Sequence, residues 1–415
     1  MSAALDADSV ERAVALLSGV VRRTPLEPCD RLSSLIGAPV LLKREDVQLC
    51  RSYKVRGAYN LLASLDEGQR RRGAVCASAG NFAQGVAFAC RELDIRGRVF
   101  LPTNTPRQKR QRIEAIGGTS IELVLAGATY DEASAAALAD CAASGAVYAH
   151  PFDDDRTIAG QGTVAVEIAE QAGRDLAAVV VPIGGGGLAS GIALWMKRHR
   201  PGVKILGVEP SGAASMRAAL DAGGPVDLVD VDTFVDGAAV GRVGERTYPL
   251  VRDLVDDVVS VAEGAVCSEM LDLYQSEGII AEPAGALATA GLRELGTLGP
   301  GTVACVVSGG NNDVSRYADI VERSLLYEGL RHYFLVTFSQ EPGSLRRFLD
   351  DVLAEGEDII AFEYVKKNNR ETGPALVGIE LERAGDLGGL LERMAASPLH
   401  VEQVSPGSPL FSFLL

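Results

Sequence analysis

The chain has 415 residues, 47% of them hydrophobic, and a formal net charge of -15 at pH 7. That length provides the core of two or three domains, and the acidic balance argues against a nucleic-acid partner. Seven cysteines without a CxxC pair and four histidines without zinc-ligand spacing indicate a reduced, cytosolic protein with no metal site. The acidic N-terminal stretch lacks the pattern of a secretory signal.

The first candidate for chemistry is a lysine that follows an early strand. A helix is predicted over residues 9–19 and a strand over Val40–Lys43. Lys54 then lies in Ser52-Tyr-Lys-Val-Arg-Gly57, ahead of core-like residues, so we expect it at a helix start. Burial there would desolvate its ammonium and lower its pKa, as an amine nucleophile requires. The alternative is an ordinary solvated lysine.

A turn of small polar residues forms the second candidate. It joins a short predicted strand, Val75–Ser78, to an apolar helix, Val86–Leu93. Such a turn offers hydroxyl, amide and backbone N–H groups to a carboxylate. The alternative is a plain N-capped helix. The residues of this turn are Ser78, Ala79, Gly80 and Asn81.

Strand and helix patterns alternate from there to about residue 308, which predicts a parallel α/β architecture. Ligands of such sheets gather beyond the carboxyl ends of the strands. The further predicted strands are 99–101, 121–124, 147–149, 205–208, 258–261 and 303–308. Residues expected at strand ends are Ser78, Gly184 to Gly187, Glu209 and Ser308.

Four consecutive glycines, Gly184–Gly187, separate a predicted strand, Ala178–Val181, from an apolar helix, Leu188–Met196. Glycines allow backbone N–H groups to approach an oxyanion, and a helix N-terminus adds unpaired donors. The loop lacks both the lysine of a nucleotide-binding loop and the GxGxxG spacing. It is therefore a phosphate site or a flexible hinge. The uncharged run Val179–Met196 matches a membrane span in length, but Pro182 and the glycines favour strand, loop and helix.

The last part of the chain predicts a separate α+β unit. Its order of elements, βαββαβ, is that of a ferredoxin-like domain. No nucleophile-and-base set occurs in it, so we expect a regulatory domain, with a dimerisation module as the alternative. The predicted elements are strand 332–338, a helix capped by Ser344, strands 359–366 and 375–381 around a turn at 367–373, a helix at 387–394 and strand 399–404.

Six motifs in this order resemble those of the biosynthetic threonine ammonia-lyases (threonine dehydratases), which are fold-type II pyridoxal-phosphate enzymes. The motifs span most of residues 10–325, and the C-terminal unit resembles the single ACT-like domain of the family's shorter members. The motifs are Lys43-Arg-Glu-Asp46, Ser52-Tyr-Lys-Val-Arg-Gly57, Ala77-Ser-Ala-Gly-Asn81, Gly184-Gly-Gly-Gly-Leu188, Ala281-Glu-Pro-Ala-Gly285 and Ser308-Gly-Gly-Asn-Asn312.

The resemblance implies an architecture and a setting. Residues 1–328 would form an α/β catalytic region with parallel sheets in two subdomains, the smaller one, about 50–150, inserted in the larger. Residues 331–405 would form an α+β, ferredoxin-like (ACT-like) domain, followed by a tail at 406–415. The protein would be a cytoplasmic homotetramer or homodimer without membrane or nucleic-acid partners.

The resemblance also implies a cofactor, pyridoxal 5'-phosphate, and roles for the motif residues. Lys54 would bind the cofactor covalently, and backbone N–H groups of Gly184, Gly185, Gly186, Gly187 and Leu188 would hold its phosphate. Asn81 would hydrogen-bond the ring's 3-hydroxyl, and Ser308 would face the pyridine nitrogen. The turn of Ser78, Ala79, Gly80 and Asn81 would bind the substrate carboxylate.

The implied reaction is that of a carbon–nitrogen lyase. Lys54 would remove the α-proton of L-threonine, the β-hydroxyl would leave, and 2-oxobutanoate and ammonia would be released. A neutral Ser308 would favour elimination over other cofactor chemistry. L-Serine would give pyruvate in the same way. The reaction would open isoleucine biosynthesis, and L-isoleucine would inhibit it through the C-terminal unit.

Two positions depart from related sequences. Phe82 stands where family members often have His, and we expect it to be apolar packing. Glu209 and Ala213 resemble part of a cation site in serine-processing relatives, but Ser215 replaces a carboxylate there, so no metal is predicted.

Two alternatives to the lyase remain. A serine dehydratase, serine racemase or β-replacement enzyme would use the same cofactor, but the ACT-like unit favours the threonine enzyme. A non-catalytic amino-acid sensor would not need Lys54.

Overall fold

The structure is a computed structural model that describes residues 5–296, 298–339, 341–364, 372–405, 408 and 411. It divides into two compact units, residues 1–313 and 314–415. The sequence places this boundary near residue 328, whereas the structure groups the preceding helix with the second unit. No helix in the described ranges is long and apolar enough to cross a membrane.

The first unit contains two sheets whose strands alternate with helices along the chain. These strands are β1 (Leu26–Pro28), β2 (Val40–Arg44), β3 (Ala74–Ala77), β4 (Gly97–Leu101), β5 (Ile121–Leu125), β6 (Val147–Tyr148), β7 (Leu176–Pro182), β8 (Lys204–Pro210), β9 (Asp257–Val261) and β10 (Thr302–Val307).

The larger sheet runs in the order β1-β2-β10-β7-β8-β9 and the smaller in the order β5-β4-β3-β6. From β2 onward the strands of the larger sheet pair in parallel, as do those of the smaller sheet. The predicted parallel architecture is therefore confirmed. The short edge strand β1 pairs antiparallel with β2 and was not predicted, because three residues ending in Pro28 show no strand period.

Helices cover the sheets of the first unit. The apolar run Val179–Met196 forms β7, the glycine loop and a helix, as predicted, rather than one long span. The helices are α1 (Ala7–Leu17), α2 (Asp30–Ile36), α3 (Lys54–Ala63), α4 (Glu67–Arg72), α5 (Asn81–Glu92), α6 (Arg107–Gly117), α7 (Tyr130–Ser144), α8 (Asp155–Gln171), α9 (Gly187–His199), α10 (Ser215–Ala222), α11 (Thr247–Leu254), α12 (Glu263–Glu277), α13 (Pro283–Ala290) and α14 (Leu292–Leu295).

One helix prediction needs correction, and one helix was not predicted. Helix α5 begins at Asn81 rather than Val86, so Asn81 occupies the first helical turn. Helix α4 was not predicted, because its sequence Glu-Gly-Gln-Arg-Arg-Arg buries no residue and so carries no apolar period. A separate apolar core lies beside each sheet, one around Val179 and Ile192 and the other around Leu61 and Val86.

The second unit begins with α15 (Tyr317–Tyr327) and continues as a βαββαβ unit. Its antiparallel sheet has the order β12-β13-β11-β14, which confirms the predicted ferredoxin-like topology. The elements are β11 (Arg331–Ser339), α16 (Ser344–Val352), β12 (Glu357–Tyr364), β13 (Thr372–Leu381), α17 (Leu387–Ala396) and β14 (His400–Gln403).

One prediction about the second unit is wrong. Ser344 is the first residue of α16 and not its cap, because Gly343 at φ 91° takes the capping position. The Ser344 hydroxyl donates instead to the Glu341 carbonyl. Most of the predicted turn at 367–373 and of the tail at 406–415 lies outside the described residues.

Candidate active site

A cavity of about 990 Å³ lies where several strands of both sheets end. Residues one or two positions beyond the ends of β3, β6 and β7 line it, including Ser78, His150 and Gly184. This volume accommodates a small cofactor together with its substrate. The location agrees with the rule that ligands bind beyond the carboxyl ends of parallel strands.

Lys54 lies in this cavity as the first residue of α3, where the sequence predicts it. Its Nζ donates to the Gly237 carbonyl over 3.3 Å. Desolvation lowers the pKa of the Lys54 amine, and the acidic side chains of Glu282 and Asp236 partly offset that effect. The amine therefore loses its proton more readily than a solvated lysine, which suits a nucleophile or a base.

A buried ionic network fixes the start of α3 next to Lys54. Arg56 donates to Glu45 over 2.7 Å and, through its other terminal nitrogen, to Glu167 over 2.7 Å. Lys43 donates to the second oxygen of Glu167 over 2.6 Å. The side chains of Lys43, Arg56 and Glu45 are at most 1% exposed. These pairs join β2, α3 and α8, so the Lys43-Arg-Glu-Asp46 motif supports the lysine rather than lining the cavity.

The glycine loop turns at Gly186, whose φ of 90° is a left-handed conformation that favours glycine. This residue precedes α9, and no side chain caps that helix. The loop packs closely against Phe152, because a Cβ added to Gly185 would lie 2.2 Å from its ring. Backbone N–H groups at an uncapped helix start form an anion site. The geometry suits a phosphate and argues against a loose hinge.

Asn81 joins two other motifs at the cavity wall. Its Nδ2 donates to Glu282 Oε1 over 2.6 Å, and its Oδ1 accepts from Asn311 Nδ2 over 2.7 Å. Burial and Asp236 raise the pKa of Glu282 to about 7, although Lys54 and the Asn81 hydrogen bond oppose the shift. The site therefore contains a carboxyl that titrates near neutral pH. The sequence motif includes Glu282, but its pattern predicts no role for it.

Two residues before the Ser52–Gly57 motif adopt a strained backbone. Cys50 and Arg51 have φ values of 58° and 55°, in the left-handed region that side chains disfavour. Asn311 Nδ2 donates to the Cys50 carbonyl over 2.7 Å, and the Gly310 N–H donates to the Arg51 carbonyl over 3.0 Å. The Gly309–Asn312 loop thus holds the chain in the conformation that leads into Lys54. Sequence patterns give no signal for this strain.

His150 is a cavity residue that the sequence did not single out. The Asp153 N–H donates to its Nδ1 over 2.8 Å, so Nδ1 is unprotonated and the neutral ring carries its proton on Nε2. Burial lowers the pKa of His150, which keeps the ring neutral. It contacts Phe152 edge-on, with ring centroids 4.7 Å apart.

Three other residues named from the sequence, Ser308, Phe82 and Glu209, are all buried. Ser308 follows β10 and is buried, but it is not among the residues that line the cavity; its hydroxyl donates to the Ala284 carbonyl over 3.0 Å. Phe82 lines the cavity and is 1% exposed, and it packs in the core beside the smaller sheet as expected. Glu209 is buried and accepts from the backbone N–H groups of Met216 and Arg217. Burial raises its pKa to about 7.

Family models match both units of the chain. Residues 17–309 match the family described as "Pyridoxal-phosphate dependent enzyme". Residues 322–414 match "C-terminal regulatory domain of Threonine dehydratase". Each matched region falls within one of the two compact units.

Curated relatives and solved structures resemble the chain closely. The biosynthetic L-threonine dehydratase of Mycobacterium tuberculosis is 57% identical over 99% of this chain and 96% of its own. The Bacillus subtilis enzyme is 47% identical over 95% of this chain and 94% of its own. Threonine deaminase isoform 2 of Solanum lycopersicum (TM-score 0.71) is 38% identical over 77% of this chain and 94% of its own. Maize serine racemase (TM-score 0.71) is 32% identical over 78% of this chain and 99% of its own.

Proposed function

This chain belongs to the biosynthetic threonine dehydratases among the pyridoxal-phosphate-dependent enzymes, and we propose that it deaminates L-threonine to 2-oxobutanoate and ammonia. The observation that carries the proposal is the placement of Lys54. This desolvated amine shares a cavity with the glycine loop and the uncapped start of α9. A covalent cofactor site needs such an amine beside a phosphate site.

Pyridoxal phosphate is the cofactor, and the residues present fit it. The backbone N–H groups from Gly184 to Leu188 would hold its phosphate. Glycine is needed in this loop because an added Cβ would meet the Phe152 ring at Gly185 and the Ala238 backbone at Gly184. Asn81 would face the ring's 3-hydroxyl, and Ser308 would face the pyridine nitrogen. When bound, the cofactor withdraws electrons from the α-carbon of the amino acid.

The chain's own groups position the substrate and move its proton. The turn of Ser78, Ala79, Gly80 and Asn81 lines the cavity and leads into the N-terminus of α5, a favourable place for the substrate carboxylate. Lys54 takes the α-proton as general base, and its lowered pKa favours the neutral amine that this step requires. The β-hydroxyl then leaves with a proton as water, and hydrolysis of the released unsaturated amine by water gives 2-oxobutanoate and ammonia.

The second unit would regulate this reaction. We propose that it binds L-isoleucine and that binding lowers activity, so that the end product of the pathway controls its first step. A coupling free energy of about 1–3 kcal/mol would change affinity by about 5-fold to about 150-fold. We also propose that the enzyme acts in the cytoplasm as a homotetramer or homodimer.

The second candidate function is the processing of serine, which the likeness to maize serine racemase favours. The test is the release of 2-oxo acid and ammonia from L-threonine and L-serine in parallel, each with and without L-isoleucine. D-Serine formation is followed in the same samples. We expect 2-oxobutanoate from threonine, suppressed by isoleucine, and slower pyruvate formation from serine. Racemisation of serine without threonine turnover would overturn the proposal in favour of the second candidate.

A further inference from the structure

Glu282 is a buried carboxyl in the cavity that has no assigned role. It is 6% exposed and directly precedes α13. Its Oε1 accepts from Asn81 Nδ2 over 2.6 Å, and a Cβ added to Gly309 would lie 2.2 Å from the same oxygen. The carboxyl is therefore held in one place by a donor on one side and by backbone on another.

Glu282 and Lys54 both lie close to one residue, Gly237. The Gly237 carbonyl accepts from Lys54 Nζ over 3.3 Å, and a Cβ added to Gly237 would lie 3.7 Å from Glu282 Oε1. The other titratable groups that face this carboxyl are Asp236, beside Gly237, and Tyr53, at the start of α3. Lys54 is the basic group among them, and its positive charge favours the ionised form of Glu282.

Two amides fix the orientation of this arrangement. Asn311 donates to Asn81 Oδ1 over 2.7 Å, which directs the Asn81 amide nitrogen toward Glu282. Asn311 Nδ2 also donates to the Cys50 carbonyl over 2.7 Å, ahead of Lys54. The same amide therefore connects the chain leading into Lys54 with the residue that holds Glu282.

We propose that Glu282 is the charge partner of Lys54, a positioning residue that acts through the lysine and is held in place by Asn81 and Asn311. The inference rests on the proposed role of Lys54. When the amine takes the substrate's α-proton, the Cα–H bond breaks, an N–H bond forms and the electron pair stays with the substrate carbon. The Glu282 carboxylate then stabilises the ammonium that results.

The pKa values of both residues support this pairing. Glu282 raises the pKa of Lys54 against the effect of desolvation, and Lys54 lowers the pKa of Glu282 against burial and Asp236. Because the pKa of Glu282 is about 7, its charge changes within the physiological range. The proton affinity of the Lys54 nitrogen therefore depends on pH through Glu282.

The test is a pH titration of the visible absorption of the bound cofactor in the holoenzyme, which reports the proton on the Lys54 nitrogen. Glu282→Gln keeps an oxygen for Asn81 but removes the charge, so its midpoint should fall by about one pH unit, a tenfold loss of proton affinity. Glu282→Asp keeps the charge, so its midpoint should lie close to that of the wild type. Glu209→Gln is the matched control, since Glu209 is also buried with a pKa raised to about 7 but does not line the cavity.

Equal midpoints in Glu282→Gln and the wild type, or no transition in either between about pH 5 and about pH 10, would overturn the inference. Borohydride reduction and peptide mapping of the wild type separate this result from a failure of the proposed function. If the reduced cofactor is found on Lys54, the proposed function stands. If it is found on another lysine, the proposed function is wrong. If Glu282→Gln does not fold, Asn311→Ala replaces it and should shift the midpoint in the same direction by a smaller amount.

Discussion

Asn81 donates a hydrogen bond to the carboxyl of Glu282 over 2.6 Å, although 201 positions separate the two residues in the chain. Asn81 is the first residue of α5, just after the turn that follows β3 of the smaller sheet, whereas Glu282 precedes α13, which packs against the larger sheet. This bond therefore connects the two sheets of the first unit at the cavity.

Replacing Asn81 by Asp tests this bond. The new carboxylate would repel the Glu282 carboxylate, and the Asn81 amide N–H that donates to Glu282 would be lost. The loss of a hydrogen bond to a charged group costs about 1.5–3 kcal/mol. We expect pyridoxal phosphate to bind about tenfold to about a hundredfold more weakly, measured by fluorescence titration of the cofactor-free protein. Asn104→Asp makes the same change at an exposed position and should leave the affinity unchanged. Equal weakening in both variants would contradict the expectation.

The packing of the glycine loop predicts the effect of Gly185→Ala. The added methyl group would lie 2.2 Å from the Phe152 ring, a distance that forces the loop or the ring to move. Overpacking of this kind costs about 1–3 kcal/mol, and a displaced loop would lose phosphate affinity. Gly202→Ala meets no atom within 4 Å and is the control. Gly185→Ala should unfold at a lower temperature and bind the cofactor more weakly than Gly202→Ala. Normal cofactor affinity in Gly185→Ala would argue against a phosphate site.

The ionic network predicts how stability depends on pH. Burial raises the pKa of Glu167, but Arg56 and Lys43 outweigh it, so the pKa lies below the ordinary value of 4.5. A lowered pKa in the folded state means that ionised Glu167 stabilises the fold above about pH 4.5, and that this stabilisation disappears as the pH falls through the folded-state value.

Glu167→Gln removes that contribution. Its amide would place a donor against the Lys43 ammonium, and breaking a buried pair costs about 3–5 kcal/mol. We expect this loss in urea unfolding at neutral pH and a smaller further loss on acidification than in the wild type. Glu170→Gln breaks an exposed pair with Arg23 and should change the unfolding free energy by less than about 1 kcal/mol. Parallel pH profiles of Glu167→Gln and the wild type would contradict the assignment.

Ser308→Asp tests the proposed neutral partner of the pyridine nitrogen. A carboxylate there would favour protonation of the ring nitrogen and change the reaction that the cofactor supports. We expect slower elimination from L-threonine, measured as 2-oxobutanoate per bound cofactor. Ser308→Ala removes the hydroxyl without adding charge and separates this effect from the loss of the hydrogen bond to Ala284. Unchanged turnover in Ser308→Asp with an intact cofactor spectrum would refute this role.

The sequence predicted features that depend on local pattern. Lys54 begins a helix as expected, and the glycines link β7 to α9, because both depend on residues that are neighbours in the chain. The βαββαβ unit follows from apolar period alone.

Contacts between residues that are far apart in the chain could not be predicted from local sequence patterns. Arg56 is charged, and such residues are usually exposed, yet Glu45 and Glu167 allow its burial. The bond between Asn81 and Glu282, and the strain at Cys50, depend on loops that meet only in the folded chain. These features surround Lys54, so the supporting residues of the site were the ones that sequence patterns missed.

The most direct test of the account is the rate of 2-oxobutanoate formation from L-threonine by Lys54→Ala. We expect a loss of about a thousandfold or more with thermal unfolding close to that of the wild type. Lys204→Ala, a change at an exposed lysine of β8, should retain full activity. Substantial 2-oxobutanoate formation by a folded Lys54→Ala protein would contradict the assignment of Lys54 as the cofactor-binding lysine and general base.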